Sequence, residues 1–236
     1  GVTVKRLSLF ITGVAVALVC GCAPGASAPT WRFTAGPCAE DFSGVAARVD
    51  CGTMVVEETR GTTNGRTVAF PVVIVRATDR NPKPDPVIYL HGGPGGDVVR
   101  GLASRVKAGR QPLTSDRDWI YFDQRGTGQS SPLLDCGQLP LSDAGVTSDE
   151  GVTALQACGH ELAGKGIDLS QYNSATIALD IRDLRSALRI TTYNLFGVSY
   201  GSRVAMAVMQ HDPEGLRAVV LDSVWPPDGN ATAPMS

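Results

Sequence analysis

The sequence has very little histidine and no cluster of basic residues. Its three histidines stand far apart, at positions 91, 160 and 211, and no Cys-x-x-Cys pair occurs, so we predict neither a metal site nor a metal cofactor. Lysine and arginine are scattered along the chain, and the formal net charge is −2. A nucleic-acid-binding protein would show a basic patch, so the charge pattern argues against that class of partner.

The apolar run at the start of the chain is too short to cross a membrane as a helix. It covers residues 7–19 and follows Lys5 and Arg6, whereas a spanning helix needs ~20 residues. A short apolar run after positive charges is typical of a signal peptide. Because the first residue is glycine rather than methionine, we expect either a fragment or a natural start just inside it. We predict that residues 1–28 direct export.

The end of this segment resembles a bacterial lipoprotein cleavage box. Gly21 precedes Cys22, and small residues and proline follow, which predicts Cys22 as the lipidated first residue of a mature envelope protein. Ala26-Ser27-Ala28 is a rival cleavage site of the A-x-A type, and its use would give a freely secreted protein. Contact with a membrane is expected only through such a lipid anchor.

Four further cysteines follow the predicted export segment: Cys38, Cys51, Cys136 and Cys158. An even number of cysteines in an exported chain indicates disulfides. Nearest-neighbour pairing would join Cys38 to Cys51 and Cys136 to Cys158, which is one of three connectivities.

Runs of β-forming residues alternate with helical patterns along the rest of the chain. The predicted strands cover residues 53–59, 67–77, 87–90, 119–122, 193–196 and 217–221, and the predicted helices cover residues 151–163, 174–189 and 202–210. Asn64-Gly65 marks a hairpin turn between the first two strands, residues 31–50 are predicted to be irregular, and residues 133–148 are predicted to form a loop. This order predicts an α/β fold with an N-terminal hairpin and a mostly parallel sheet, and we assign residues 29–228 to it.

The second predicted helix has apolar residues at helical spacing on one face. Its other faces carry Asp180, Arg182, Asp183 and Arg185. We interpret these charges as a solvated surface without a chemical role.

Gly197-Val198-Ser199-Tyr200-Gly201 matches the G-x-S-x-G pattern of a nucleophilic serine. The pattern lies between a predicted strand and a predicted helix, as the chemistry requires. The turn is so sharp that the serine must adopt a strained backbone conformation, and the two glycines leave room for it. We predict that Ser199 is a nucleophile exposed at the amino end of a helix.

His91-Gly92-Gly93-Pro94-Gly95-Gly96 directly follows another predicted strand. Backbone N–H groups can approach a developing oxyanion only where no side chain intrudes, which explains the glycines. We predict that the N–H groups of Gly93 and Tyr200 form the oxyanion hole. A phosphate-binding loop is the competing interpretation, but the Gly-Lys-Ser/Thr that would support it is absent.

Three motifs in this order resemble the proline iminopeptidase and tripeptidyl aminopeptidase group of serine peptidases, most closely its exported members. They are HGGPGG at residues 91–96, DQRGTGQS at residues 123–130 and GVSYG at residues 197–201. The resemblance implies an α/β-hydrolase fold and a peptide substrate that enters by its free amino end, beneath a lid inserted after the sixth strand. It also implies that His91 and Gly92 support the oxyanion loop, and that Asp123 and Arg125 hold the neighbouring loop without taking part in the chemistry.

The remaining members of a catalytic triad are not recognisable. In α/β-hydrolases the acid and the histidine follow the serine, yet the only later histidine is His211, ~18 Å away along a helix. Asp222 ends the sixth strand, but the resemblance places the acid after the next one. We expect a chain truncated after about the sixth strand, with residues 229–236 beginning a missing lid and C-terminal region, and inactive alone.

The function predicted for the whole protein is that of a serine exopeptidase that releases N-terminal residues or short peptides. An esterase or lipase on the same scaffold is one alternative. A non-catalytic surface lipoprotein is the other. None of these interpretations calls for an organic cofactor.

Overall fold

The computed structural model describes residues 30–62, 65–111, 113–137 and 148–228. The predicted export segment with Cys22, the turn residue Asn64, most of the predicted loop and residues 229–236 lie outside these ranges. No helix within the described ranges combines the length and apolar character needed to span a membrane.

A seven-stranded sheet runs through the described residues, in the order β1-β2-β3-β5-β4-β6-β7. Its strands are β1 (Arg32–Gly36), β2 (Val49–Glu57), β3 (Thr67–Val75), β4 (Val87–Leu90), β5 (Trp119–Phe122), β6 (Tyr193–Val198) and β7 (Leu216–Asp222). The helices are α1 (Leu102–Lys107), α2 (Asp149–Gly164), α3 (Ser174–Ala187) and α4 (Tyr200–His211), and a 3₁₀ turn covers Leu169–Gln171.

The sheet is mixed, with one antiparallel and one parallel half. Strands β1, β2, β3 and β5 pair antiparallel, whereas β5, β4, β6 and β7 pair parallel. The predicted α/β fold with an N-terminal hairpin is confirmed. Because parallel strands end at the same edge of a sheet, the loops after β4, β5, β6 and β7 emerge side by side.

Side chains alternate between two apolar layers, one on each face of the sheet. In β4, Ile88 and Leu90 belong to the layer covered by α3 and α4, whereas Val87 and Tyr89 belong to the layer on the α1 side. All four residues of β4 are buried, as expected of a central strand covered on both faces. This packing fixes the direction in which the loop after β4 leaves the sheet.

The segment predicted to be irregular, residues 31–50, contains a strand, so this prediction is wrong in part. Strand β1 pairs with β2, from Arg32 opposite Val55 to Gly36 opposite Cys51. Four of its five residues are exposed, so no apolar alternation marked it in the sequence. This edge strand is why the sheet has seven strands where the sequence indicated about six.

The prediction that the charges of α3 are a solvated surface is also wrong. Asp180, Asp183 and Arg185 are buried, with Asp180 only 1% exposed. The physical reason is pairing with cations from distant parts of the chain: Asp180 binds Arg125 and Arg60. Only the Arg182 side chain is largely exposed, at 43%.

Two disulfides join Cys38 to Cys51 and Cys136 to Cys158. This is the nearest-neighbour pairing among the three that the sequence left open. The first disulfide ties the segment after β1 to β2. The second ties the segment after the 123–130 loop to α2.

Candidate active site

Ser199 occupies the turn between β6 and α4. The strand ends at Val198, the helix begins at Tyr200, and Ser199 is the residue between them, with φ 52° and ψ −119°. A positive φ is unfavourable for a residue with a β carbon and is found where the surrounding structure enforces it. The Ser199 N–H donates to the carbonyl oxygen of Asp222 at 2.8 Å, which anchors the turn to the end of β7.

The glycines two residues before and after Ser199 are required by close packing. A β carbon on Gly201 would lie 2.0 Å from the Leu90 carbonyl oxygen, and one on Gly197 would lie 2.5 Å from the Gly201 carbonyl oxygen. Both distances are far below van der Waals contact. The G-x-S-x-G pattern therefore reports a tight crossing of the turn over the end of β4, as the sequence predicted.

The loop after β4 lies directly against Ser199. A β carbon on Gly92 would lie 3.1 Å from the Ser199 β carbon and 3.6 Å from its Oγ. Gly93 has φ 120°, a conformation that favours glycine. Tyr200 is the first residue of α4, so its N–H is one of the four at a helix start that have no partner within the helix. Tyr200 therefore directly follows the serine in the chain, and Gly93 follows the glycine that lies against it.

His91 packs against the loop after β4 and bonds to the loop after β5. Gly96 packs on its imidazole, where a β carbon would lie 2.2 Å from Cδ2, and the His91 carbonyl oxygen accepts from Gln124 Nε2 at 3.1 Å. Burial, reinforced by the charge of Arg105, lowers the pKa of His91. Its Nδ1 is buried and has no hydrogen-bond partner among the described residues. The His91 ring therefore packs against the loop.

Asp123 holds the loop after β4 to the loop after β5. Its carboxylate accepts from the N–H groups of Val98 and Val99, at 2.9 and 3.1 Å, and from that of Gln129 at 2.8 Å. Burial raises the pKa of this carboxyl group against the effect of these donors. Asp123 is 1% exposed, which gives it the structural place that the family resemblance implied.

Arg125 fixes the same loop to the other side of the molecule. Its fully buried guanidinium makes two hydrogen bonds of 2.7 Å to the carboxylate of Asp180. It also donates to the carbonyl oxygens of Glu58 and Gln171, at 2.9 and 3.1 Å. A planar guanidinium in such a two-pronged pair defines the geometry as well as the contact.

Two residues that position the site were missed in the sequence. Asp180 was assigned to a solvated surface, although it anchors Arg125. Ser202 accepts from the Trp225 N–H at 2.8 Å and donates to the Ser199 carbonyl oxygen at 2.5 Å, which links the helix start to the segment after β7. No local sequence signal identifies the contacts of Asp180 with Arg125 and of Ser202 with Trp225, because in each the partner lies on another segment of the chain.

Asp222 contacts Ser199 through its main-chain carbonyl oxygen, and its carboxylate, like His160 and His211, forms no hydrogen bond with Ser199 among the described residues. His211 is the last residue of α4, and His160 lies exposed on α2. The Asp222 carboxylate accepts from the Ser223 hydroxyl at 3.0 Å and is exposed. Within the described ranges, no three metal-binding side chains come together in a way that could hold an ion.

Comparison with known proteins identifies relatives of this chain. The model of the alpha/beta hydrolase fold family matches residues 85–236. A proline iminopeptidase of Xylella fastidiosa is 29% identical over 145 residues, which cover 61% of this chain and 34% of the relative. A tripeptidyl aminopeptidase of Streptomyces lividans is 27% identical over 203 residues, 80% of this chain and 38% of the relative.

Two further proteins are similar to this chain. Serine protease Hip1 of Mycobacterium tuberculosis is 23% identical over 192 residues, 76% of this chain and 36% of the relative. Among solved structures, a proline iminopeptidase-related protein of Thermus thermophilus aligns over 74% of this chain and 44% of that one, at 21% identity and a TM-score of 0.41. The chain spans only about a third of the length of the curated relatives. The family model and the strand order together show that the chain belongs to the alpha/beta hydrolase fold family.

Proposed function

We propose that the full-length protein is a serine exopeptidase in which Ser199 is the nucleophile. The single observation that carries this proposal is the strained turn that presents Ser199 against the glycine backbone of the loop after β4. A serine held this way at a helix start, beside backbone N–H groups without side-chain cover, is suited to acyl transfer. The peptidase names of the relatives support a peptide substrate.

The proposed reaction has two halves. Ser199 Oγ attacks the carbonyl carbon of the scissile peptide while a general base takes its proton. The N–H groups of Gly93 and Tyr200 stabilise the oxyanion, and the α4 dipole adds to this field. The C–N bond then breaks, the amine leaves with the proton, and water hydrolyses the acyl-enzyme to release the acid and free Ser199.

The general base is assigned to a residue outside the described part of the chain. His91 packs the oxyanion loop, and His160 and His211 lie away from Ser199, so no described histidine is placed to accept its proton. In this fold the acid and the histidine follow the nucleophile in the chain. We therefore attribute activity to the full-length gene product, of which residues 29–228 would supply the nucleophile and the oxyanion hole, and residues 229–236 would begin the lid region.

Export is part of the same proposal. Residues 1–28 would direct the chain out of the cytoplasm, with Cys22 as the lipid anchor or with free secretion as the alternative. The disulfides Cys38–Cys51 and Cys136–Cys158 support an oxidising compartment, because such bonds are rare in the cytosol. Detergent phase partitioning of the mature protein and of Cys22→Ala distinguishes the two routes. If Cys22 is lipidated, the wild type should enter the detergent phase and Cys22→Ala should stay in the aqueous phase. If the protein is freely secreted, both should stay in the aqueous phase.

The test measures peptide release by the full-length gene product. Tripeptidyl and prolyl substrates with a free amino terminus are compared with N-acetylated versions and with a p-nitrophenyl ester. The proposal expects hydrolysis of the free peptides, its loss in Ser199→Ala, and no change in the control Ser186→Ala, whose hydroxyl bonds its own helix on the exposed side of α3. Ester cleavage without peptide cleavage would support an esterase, and unchanged activity of Ser199→Ala would overturn the proposed nucleophile.

A further inference from the structure

A cleft of about 250 Å³ adjoins the proposed oxyanion hole. Its lining includes Pro94 and Gly95, which follow Gly93 in the chain, and Tyr200, which follows Ser199. Leu134 and Tyr172 also line the cleft. We propose that this cleft binds an apolar side chain of a residue next to the scissile bond, and that Leu134 and Tyr172 set the size it accepts. This inference rests on the proposed function.

The cleft is suited to apolar groups because the polar tips of its aromatic walls are already occupied. The Tyr172 hydroxyl donates to Glu58 Oε1 at 2.6 Å, and the Tyr200 hydroxyl is 2.9 Å from Ser174 Oγ. Burial and the neighbouring Glu58 carboxylate raise the pKa of Tyr172, so the ring carries no charge. What these walls offer a substrate is ring surface, which favours apolar side chains.

The one charge in the cleft wall is also neutralised. Arg125 lines the cleft, but its guanidinium is paired with the Asp180 carboxylate through two bonds of 2.7 Å. An unpaired buried cation would favour an acidic side chain, whereas a satisfied pair offers little net attraction to one. The charge pattern therefore does not support an acidic substrate residue in this cleft.

Several contacts hold the wall that is formed by Leu134 and Tyr172. A β carbon on Gly126 would lie 2.8 Å from Leu134 Cγ and 2.9 Å from Tyr172 Cδ1, so both side chains press on the Gly126 backbone. The Leu134 N–H also donates to the Gly126 carbonyl oxygen at 3.0 Å. Two residues further on, the Cys136–Cys158 disulfide fastens this segment to α2, where Leu134 and Tyr172 pack against an apolar cluster that includes Cys158.

The volume limits what the cleft can take. Pockets for whole small-molecule ligands are typically about 300–1,000 Å³, so a cleft of about 250 Å³ accommodates a side chain rather than a long peptide. In a hydrophobic pocket, one methylene more or less changes kcat/KM by about 10- to 200-fold. This cleft is partly open and its lining also includes Gln124 and Thr127, so we expect the lower end of that range. Leu134 is the better residue to vary, because its main-chain contacts remain when the side chain changes.

The test compares peptides with a free amino terminus in which the two residues flanking the scissile bond are Ala, Leu or Phe in turn. Product release by the full-length gene product is followed by mass spectrometry. Relative to the wild type, we expect Leu134→Ala to raise the ratio of kcat/KM for the Phe peptide over the Ala peptide about tenfold at one of the two positions, and Leu134→Trp to lower it about tenfold. Leu133→Ala, an exposed neighbour that does not line the cleft, should leave the ratio unchanged.

Covalent labelling of Ser199 by a fluorophosphonate, with thermal midpoints, is measured on every variant. The proposal is supported if the ratio of kcat/KM for the Phe peptide over the Ala peptide shifts in opposite directions in the two Leu134 variants while labelling stays intact. If Leu134→Ala unfolds, Leu134→Trp alone provides the test. Labelled variants with the wild-type ratio at both positions would overturn the cleft proposal and leave the proposed function standing. A wild type that neither labels nor cleaves peptides would overturn both.

Discussion

At the scale of single residues, the backbone around Ser199 depends on the absence of β carbons. Gly201 occupies the second position of α4, where its α carbon faces the end of β4. We expect Gly201→Ala to lower the free energy of unfolding by about 2 kcal/mol or more, because the new methyl group would lie 2.0 Å from the Leu90 carbonyl oxygen.

Gly164 in α2 is the matched control for this substitution. A β carbon there meets nothing within 4 Å. Gly164 is the last residue of α2, so the preference for alanine over glycine should be smaller than the ~1 kcal/mol of a helix interior. Gly164→Ala should therefore leave stability unchanged or raise it. Urea denaturation measures the free energy of unfolding of both variants. Equal values for Gly201→Ala and Gly164→Ala would contradict the close contact between Gly201 and the end of β4.

His91 gives a pH-dependent prediction at the same scale. Its pKa in the folded protein lies below the ordinary value of 6.5 because of burial and then the charge of Arg105. The unfolded chain therefore binds more protons than the folded one near and below pH 6.5, so this residue lowers stability as the pH falls through that range.

His91→Gln removes the titrating group while keeping a polar side chain. We expect the stability of the wild type relative to this variant to decrease between pH 8 and pH 5.5, as measured by urea midpoints at intervals of half a pH unit. A difference that stays constant, or that grows on acidification, would show that His91 is not held neutral by its surroundings.

At the scale of secondary-structure elements, α3 is bound to the rest of the fold by buried charges. Asp180→Asn would leave Arg125 and Arg60 without their shared carboxylate. Breaking one partner of a buried ion pair typically costs about 3–5 kcal/mol, and we expect a loss at the lower end, about 3 kcal/mol, because the amide keeps one acceptor.

Glu161→Gln on α2 provides the contrast. Glu161 also forms an ion pair, with Lys165 at 2.7 Å, but its side chain is 69% exposed, so its removal should cost less than about 1 kcal/mol. Thermal and urea unfolding of the two variants measure the difference. Comparable small losses in both would mean that the Asp180 pair contributes no more than a surface ion pair.

The same element shows where prediction from the sequence succeeds and where it fails. The apolar periodicity of α3 and the short apolar runs of β4 and β5 are patterns among residues close together in the sequence. These three elements lie where the sequence predicted them. The pairing of Asp180 with Arg125 joins residues that are 55 positions apart. The residues next to an acidic side chain on a helix do not reveal whether a cation from another element will pair with it.

Strand β1 and helix α1 were missed for a related reason. Strand β1 is a mostly exposed edge strand stabilised by pairing with β2. Helix α1 has six residues, and its cap residue Gly101 has a left-handed conformation and no side chain to cap the helix. Its amino end is instead held by the Glu40 carboxylate, which accepts from the N–H groups of Gly101 and Ala103. Both elements owe their structure to tertiary contacts, whereas the Ser199 turn was predictable because the residues that mark it, the serine and its two glycines, lie within five consecutive positions.

At the scale of the whole molecule, the strand order brings three separate sequence motifs to one edge of the sheet. Strands β4, β5 and β6 are neighbours in the parallel half, so the loops that follow them meet around Ser199 although more than 100 residues of chain separate the first from the last. Gly92 touches the serine, Asp123 anchors both upstream loops, and Arg125 fixes them to α3. This convergence is the structural basis for proposing a hydrolytic site.

The measurement that tests this account most directly is the mapping of a fluorophosphonate adduct on the full-length gene product. The wild type and the variants Ser199→Ala and Ser186→Ala are labelled, digested and analysed by mass spectrometry. The account predicts one modified peptide containing Ser199, its disappearance in Ser199→Ala and its persistence in Ser186→Ala. Absence of an adduct on correctly folded wild type, or an adduct that survives in Ser199→Ala, would contradict the claim that Ser199 is an activated nucleophile.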